Sequence, residues 1–205
     1  MYTPPHFEVS ELPAIHDAIE SCGLANLITW TGSELLATPL PLFLAREEGE
    51  SGTLYGHVAK ANTQWSAGVR GEALAMFSGL DAYVTPGWYA TKQETGKVVP
   101  TWNYETMHAY GVPEFFHEED RLLDVVTRLT QRHESGRKEP WQVSDAPADF
   151  IRGQLRGIVG VRMEITRLQG KRKMSGNRPL ADRIGVAEGL RRDGRDDVAV
   201  LVPVT

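Results

Sequence analysis

Apolar and polar positions alternate along much of the chain, and this two-residue period predicts a protein built mainly of β-strands. Turn signals rich in Gly, Pro and Ser separate the alternating segments. One segment contains Pro39 and Pro41. Because proline cannot donate a ladder hydrogen bond, we expect this strand at a sheet edge, at a bulge or beside a ligand. The predicted strands cover 24–31, 35–44, 54–60, 72–77, 81–85, 98–111 and 158–168.

Helical spacing replaces the alternation in four stretches. The clearest is 118–132, where Leu122, Val125 and Leu129 share one side. Acidic residues lie in the first turn of this helix and basic residues lie near its end, as the helix dipole favours. The other predicted helices run from Ser10 to before Gly23, from Asp145 to Leu155, and over 180–192. The basic stretch 170–179 is predicted to be a loop, and 197–204 a terminal strand or tail.

The order of these elements does not alternate as a parallel α/β fold would. The sequence therefore predicts a mainly β fold with peripheral α-helices, in which an antiparallel barrel closes and leaves no free edges. With 205 residues, we expect one domain with a helical and basic C-terminal extension at about 145–205.

Composition excludes several classes of protein. The hydrophobic fraction of 41% and the charged fraction of 24% are ordinary for a globular chain. Cys22 is the only cysteine, so neither an intrachain disulfide nor a cysteine metal cluster can form, and the scattered histidines predict no metal site. The chain has no leader pattern and no apolar run near the roughly 20 residues that span a bilayer. We therefore expect a cytoplasmic protein without membrane contact.

The net charge of −5 hides an uneven distribution. Residues 152–195 hold 12 of the 22 Lys and Arg but only four acidic residues. Such a segment is compatible with contact to nucleic acid, with an anionic ligand, or with association of subunits. No helix-turn-helix is evident, and the strongest helix begins with acidic residues. A solvated face with an anion clamp is therefore favoured over a DNA-reading surface.

The stretch with the most suggestive chemistry follows the predicted strand 54–60. Asn62 can cap a helix that starts at Thr63, because its side-chain oxygen can accept free backbone N–H groups. Lys60 adds a full positive charge just before this cap. A capped helix start beside an ammonium group is a plausible cradle for the phosphate of a flat cofactor. An edge strand followed by an ordinary surface turn is the alternative.

Two further stretches could contribute to such a site. In the basic loop, Ser175 and Asn177 flank Gly176 and could form a second anion clamp, or the loop could simply be solvated. In the strand 98–111, Trp102 is a candidate core residue or a flat wall for a ring, with the amide of Asn103 beside it. Hydrolase, Walker, dinucleotide and zinc-protease motifs are absent, so no catalytic residue is identified.

Short motifs in a characteristic order run through nearly the whole chain. They are Met1-Tyr2 with Pro5-His6-Phe7; Ala37-Thr38 with Leu40-Pro41-Leu42; Gly56-His57-Val58-Ala59-Lys60-Ala61-Asn62 with Gln64-Trp65; Ala82-Tyr83-Val84 with Trp88-Tyr89; Val99-Pro100-Thr101-Trp102-Asn103-Tyr104 with His108-Ala109-Tyr110-Gly111; Ile158-Val159-Gly160; and Gly170-Lys171 with Lys173, Ser175 and Asn177-Arg178. Together they resemble the PaiB-like FMN-binding negative transcriptional regulators, part of the flavin split-barrel superfamily typified by pyridoxamine-phosphate oxidase. Thr63 and Gly176 depart from the family pattern, which usually has Pro and often Gln at these positions.

The resemblance implies an FMN-binding split β-barrel, a homodimer, and FMN held where the two subunits meet. It assigns Lys60, Ala61 and Asn62 to the FMN phosphate. It further implies that neighbouring strands line the flavin and that other residues approach from the partner subunit. The lining residues are Thr38, Pro39, Leu40, His57, Val58 and Ala59, and the approaching residues are Trp102, Asn103 and Ser175 or Asn177.

Three functions follow from these observations. The first is an FMN-binding negative regulator of transcription, with DNA contact through 152–195. The second is a flavin-dependent oxidoreductase, of the reductase or oxidase type, that acts on a small molecule. The third is a protein that holds another planar ligand such as haem, with His57 or His108 as axial ligand.

Overall fold

The computed structural model describes residues 1–204 of the chain. Ten strands and six α-helices lie within these residues. The strands are β1 (Glu8–Val9), β2 (Ala25–Trp30), β3 (Leu35–Leu40), β4 (Leu42–Ala45), β5 (Thr53–Ala59), β6 (Ala73–Val84), β7 (Thr101–Gly111), β8 (Pro113–Phe116), β9 (Ile158–Glu164) and β10 (Arg167–Lys173). The helices are α1 (Leu12–Ser21), α2 (Ala90–Thr95), α3 (Glu119–Glu134), α4 (Ala148–Leu155), α5 (Leu180–Arg192) and α6 (Asp196–Ala199). None of these helices is long and apolar enough to cross a membrane.

The backbone falls into two compact units. Unit 1 comprises Met1–Ile15, Ser78–Met107 and the chain from Gln169 onward, and unit 2 comprises His16–Phe77 and His108–Leu168. The chain enters each unit more than once, and β6 and β7 contribute residues to both. The expectation of one domain with a C-terminal extension stays a prediction.

The strands form two sheets. Hydrogen-bonded neighbours follow the order β1-β10-β7-β6-β2-β3 in the larger sheet and β4-β5-β9-β8 in the smaller. The registered pairs are antiparallel, such as Leu27 with Thr38 between β2 and β3, and His57 with Gly160 between β5 and β9. The mainly β fold with α-helices is confirmed. The strand orders describe two sheets and not the single closed barrel that was expected.

Pro41 divides a segment that was expected to form one strand. β3 ends at Leu40 and pairs with β2, while β4 begins at Leu42 and pairs with β5 in the other sheet. Proline supplies no N–H to continue a ladder, so the chain can change sheets there. Both strands lie at the end of their sheet order, which confirms the predicted edge position.

Other elements differ from the sequence prediction. β6 continues through Gly79, where a break was expected. A Cβ there would come within 2.9 Å of the Glu105 side chain, so this glycine permits close approach and makes no turn. β10 occupies the first part of the predicted basic loop, and α6 replaces the predicted terminal strand or tail. β8 and α2 were not predicted, because both are short and lack a clear period.

Each unit has its own apolar cluster. In unit 1, α5 and α6 pack with Ala82, Val84, Tyr89 and Met174. In unit 2, the predicted stripe of α3 packs with Phe43, Phe116 and Leu155.

Candidate functional site

The predicted cradle is a tight turn after β5, here called the Lys60 turn (residues 60–63). The Lys60 N–H donates to Gly157 O at 2.8 Å, and the Asn62 N–H donates to Ala59 O at 2.8 Å. The Asn62 side-chain oxygen accepts the Gln64 N–H at 2.9 Å, which confirms the predicted cap. The capped element is only a three-residue 3-10 turn, Thr63–Trp65, so the expected helix dipole is nearly absent.

Asn62 also joins this turn to β3. Its amide nitrogen donates to the Thr38 hydroxyl oxygen at 2.9 Å. Both polar atoms of the Asn62 side chain are therefore occupied by protein groups, and its role is to position the turn. Because the Thr38 oxygen accepts this bond, the Thr38 hydroxyl proton remains available to a ligand.

Several donors of the Lys60 turn have no protein acceptor within residues 1–204. The Lys60 side chain is exposed and forms no hydrogen bond or ion pair there. The backbone N–H groups of Ala61 and Thr63 are likewise unbonded within these residues. The Trp65 indole N–H donates to Lys60 O at 3.0 Å and holds the turn in place. A cluster of donors without an acceptor matches the requirements of a phosphate group.

Gln64 anchors the turn from beneath and was missed as a site residue. Its side chain is buried, and its amide nitrogen donates to Leu27 O and to the Thr29 hydroxyl, each at 3.0 Å. The same nitrogen lies 3.2 Å from Leu36 O. Gln64 thus ties the Lys60 turn to β2 and β3. Its presence in the family motif was the only sequence signal for this role.

The neighbouring strand residues take different orientations. Leu40 and Val58 are each 3% exposed and point into the core, so only their backbone could reach a ligand. Pro39 and Ala59 are exposed. His57 is half-buried and lines a cavity of about 340 Å3 together with residues of α3.

The histidines on strands are less basic than usual. Burial lowers the pKa of His57, whose Nδ1 has no hydrogen-bond partner in the described part of the chain. Burial also lowers the pKa of His108, and its Nδ1 lies 3.4 Å from the Tyr110 hydroxyl. A neutral imidazole can ligate a metal, but residues 1–204 contain no group of three or more His, Cys, Asp or Glu that could hold one.

The second group of predicted residues lies in unit 1. The Ser175 hydroxyl donates to the Asn103 side-chain oxygen at 3.0 Å. Asn103 is fully buried, and its amide nitrogen has no partner within residues 1–204. Ser175 has a φ of 62°, which places the turn after β10 in the left-handed region. Asn177 is exposed and lines the same small cavity as Asn103 and Ser175.

Trp102 lies on the other side of β7 from Asn103. It is 54% exposed, so it is not the core residue that a barrel would favour. Its ring meets the edge of the Tyr83 ring at 6.0 Å, and Tyr83 is 47% exposed. An exposed aromatic pair of this kind is a suitable platform for a flat ring.

The cavity beside Asn103 is strongly basic, and we call it the basic pocket. The Lys173 ammonium donates to the Thr101 hydroxyl at 2.6 Å and to Trp102 O. The Arg178 guanidinium lies over the Tyr89 ring at 4.5 Å. Burial lowers the pKa of Lys173, and the charges of Lys171 and Arg178 lower it further. The polar side chains that line the pocket belong to Tyr89, Thr101, Asn103, Lys173, Ser175, Asn177 and Arg178.

The basic charge of 152–195 is not a continuous surface. The segment is divided between the two units after Leu168. Many of its cations have a carboxylate partner: Arg152 pairs with Asp149, Arg162 with Glu164, Arg167 with Glu72, Arg172 with Glu105, and Arg195 with Asp197. The charge excess read from the sequence is therefore compensated locally at many positions.

Known proteins resemble both the sequence and the fold. The family model described as "Putative FMN-binding domain" matches residues 1–167. The protease synthase and sporulation protein PAI 2 of Bacillus subtilis is 29% identical over 194 residues, which cover 94% of this chain and 90% of that protein.

Two solved structures share the fold at low sequence identity. The FAD and heme binding protein from Mycobacterium smegmatis is 16% identical with a TM-score of 0.60, over 81% of this chain and 73% of that one. The flavocytochrome Anf3 from Azotobacter vinelandii is 15% identical with a TM-score of 0.59, over 81% and 69%.

Proposed function

The chain belongs to the FMN-binding domain family, and from this premise we propose that it holds FMN by placing the flavin phosphate on the Lys60 turn. Family membership confirms the predicted flavin cofactor. The observation that carries the placement is the set of unbonded donors at this turn: the Lys60 ammonium, the N–H groups of Ala61 and Thr63, and the Thr38 hydroxyl proton.

Each residue of the turn has a distinct role in this proposal. Lys60 supplies the charge that a phosphate dianion requires, and the backbone N–H groups supply directed donors. Asn62 positions the turn through its cap and its bond to Thr38. Residues of the neighbouring strands line the flavin, namely Pro39, Leu40, His57, Val58 and Ala59. When bound, the flavin supplies hydride or single-electron chemistry, and the protein orients it.

We also propose that the protein is a cytoplasmic homodimer with the flavin split-barrel fold. In this arrangement Trp102, Asn103 and Ser175 or Asn177 of the partner subunit approach the flavin. The exposed Tyr83–Trp102 pair supports this proposal, because such a pair can cover a flavin ring. Light scattering on a sizing column should give twice the chain mass of 22.7 kDa, with FMN present. A monomer at all concentrations would contradict the dimer.

Binding of FMN can be tested by titration of the desalted protein. We expect FMN fluorescence to be quenched at one equivalent per chain, and riboflavin to bind more weakly because it lacks the phosphate. Failure to retain or quench FMN would contradict the proposal. Equal affinity for FMN and riboflavin would contradict the assigned phosphate contact.

The first biological function that we propose is negative regulation of transcription. Its support is the resemblance of the motifs to PaiB-like regulators and the similarity to the PAI 2 protein. Among the cations of 152–195, Arg156, Arg191 and Arg192 have no carboxylate partner within residues 1–204. If DNA binds directly, affinity should fall steeply with salt, and Arg191→Gln with Arg192→Gln should weaken it. Salt-independent binding, or none, would contradict direct contact.

A flavin-dependent oxidoreductase is the second candidate. The likeness to a flavocytochrome and to an FAD and heme binding protein favours it at the level of fold. With FMN bound, anaerobic NADPH should bleach the oxidised flavin absorption if the protein is a reductase. A flavin that stays oxidised with NADPH and NADH would contradict this activity.

A further inference from the structure

Helices α3 and α4 and the segment between them line a cavity in unit 2, which we call the α3–α4 pocket. Its volume is about 510 Å3, within the roughly 300–1,000 Å3 that is typical of small-molecule sites. All of its lining residues lie in unit 2, and none of them is among the residues assigned to the flavin. The pocket is therefore a candidate site separate from the Lys60 turn.

One side of α3 is left outside the core. The apolar stripe of this helix is buried in the cluster of unit 2, but a second row of side chains, spaced by four residues, lines the pocket. This row consists of Glu119, Leu123, Thr127 and Gln131. Leu123 is 38% exposed, so part of its apolar surface is in contact with water. A ligand that covers this surface would gain the hydrophobic free energy of its burial.

Helix α4 and the turn before it complete an apolar wall. Ile151 is half-buried and Leu155 is 4% exposed, and both pack against the cluster of unit 2, which holds them in position. The pocket therefore suits the apolar body of a small molecule. Its apolar lining residues are Leu123, Val143, Ala146, Ala148, Ile151 and Leu155.

The polar groups of the pocket leave one charge uncompensated. The Thr127 hydroxyl donates to Leu123 O at 2.7 Å, so it requires no acceptor from a ligand. The Arg152 guanidinium is paired with the Asp149 carboxylate. Glu119 is exposed and takes part in none of the ion pairs within residues 1–204. An uncompensated carboxylate beside an apolar wall attracts a cation.

We propose that the α3–α4 pocket binds a small amphipathic amine, with the apolar body against Leu123 and Ile151 and the ammonium group beside the Glu119 carboxylate. An exposed ion pair adds only about two- to fivefold in affinity, so the apolar contacts supply most of the binding free energy. The proposal does not depend on where FMN binds.

The test is calorimetry of the parent protein with naphthylbutylamine, a primary amine with a flat apolar body. Naphthylbutanol, in which a hydroxyl replaces the amino group, is the neutral match. Excess FMN is present throughout, so that a ring compound bound at the flavin site does not contribute. We expect the amine to bind at one equivalent per chain with a Kd below about 1 mM, and the alcohol to bind about two- to fivefold more weakly.

Two variants locate the bound amine. Leu123→Gln keeps a side chain that favours helix but removes the apolar contact, so amine affinity should fall at least about fivefold. Glu119→Gln should lower amine affinity about two- to fivefold and leave alcohol affinity unchanged. The matched controls are Val112→Gln and Glu47→Gln, at exposed positions of unit 2 outside the pocket, and both should bind as the parent does.

Several results would overturn the proposal. They are the absence of amine binding with a Kd below about 1 mM, alcohol binding as tight as amine binding, and undiminished amine binding to folded Leu123→Gln or Glu119→Gln. Urea unfolding confirms that each variant is folded, and Glu119→Gln decides the outcome if Leu123→Gln does not fold. On a sizing column, Leu123→Gln should keep the oligomeric state of the parent. Conversion of a dimer into a monomer would show that a second copy covers the pocket and would also overturn the proposal.

Discussion

Asn62 connects the Lys60 turn to β3 through both polar atoms of its side chain. The cap to Gln64 is local in sequence and could be predicted from residue type and spacing. The bond to Thr38 spans 24 positions and could not be predicted without knowing that β3 lies beside the turn. For the same reason Gln64, Lys173 and Arg178 were not assigned roles, since their partners are distant in sequence.

Replacement of Asn62 should therefore loosen the turn. Asn62→Ala removes the cap and the bond to Thr38, so we expect a loss of about 1–2 kcal/mol in the free energy of unfolding. FMN affinity should fall several-fold, because the donors of the turn lose their fixed positions. Urea unfolding and FMN titration measure the two effects. Thr63→Ala, which keeps the backbone N–H, is the control, and an equal loss in both variants would contradict the positioning role.

His57 should make stability depend on pH. Burial lowers its pKa in the folded protein, so the unfolded chain binds a proton more readily. The stability contributed by neutral His57 is complete above about pH 6.5 and is lost as pH falls toward the folded pKa. His57→Gln should therefore lose less stability than the parent between about pH 7 and pH 5. Parallel profiles for the two proteins, measured by urea unfolding, would rule out this contribution.

At the scale of elements, long periodic segments were predictable and short ones were not. The stripe of α3 follows from hydrophobic spacing and length. The prolines placed β3 and β4 at edges, but Pro41 also separated them into two sheets, which depends on tertiary pairing. Gly79 was misread as a break because a glycine required for close approach looks the same in sequence as one required for a turn.

Helix α5 uses glycines to approach a neighbouring segment of unit 1. A Cβ at Gly189 would overlap the ring of Trp88, and a Cβ at Gly185 would overlap the Trp88 carbonyl. We expect Gly189→Ala to lower the free energy of unfolding by about 1–3 kcal/mol through overpacking, despite the better helix propensity of Ala. Glu188→Ala, on the exposed side of α5, should be within about 0.5 kcal/mol of the parent. A Gly189→Ala variant that is more stable than the parent would show that the Trp88 side chain moves aside, and it would contradict the predicted overpacking.

At the scale of the whole molecule, charge is the feature that sequence describes least well. The excess of basic residues in 152–195 was compatible with nucleic acid, with an anionic ligand or with association of subunits. The structure pairs five of these cations with carboxylates and places two of the others, Lys173 and Arg178, at the basic pocket. Family membership shows that the cofactor is a flavin, and we propose that the donors of the Lys60 turn bind its phosphate.

The most direct test of this central claim compares FMN with riboflavin on the parent protein and on Lys60→Met. If Lys60 binds the phosphate, Lys60→Met should weaken FMN binding by about 10- to 100-fold, as expected for loss of a charged hydrogen bond. Riboflavin affinity should be the same in both proteins, and Lys138→Met, an exposed lysine of the same unit, should change neither. Unchanged FMN affinity in a folded Lys60→Met protein would place the phosphate elsewhere, and an equal loss for both ligands would contradict a phosphate contact.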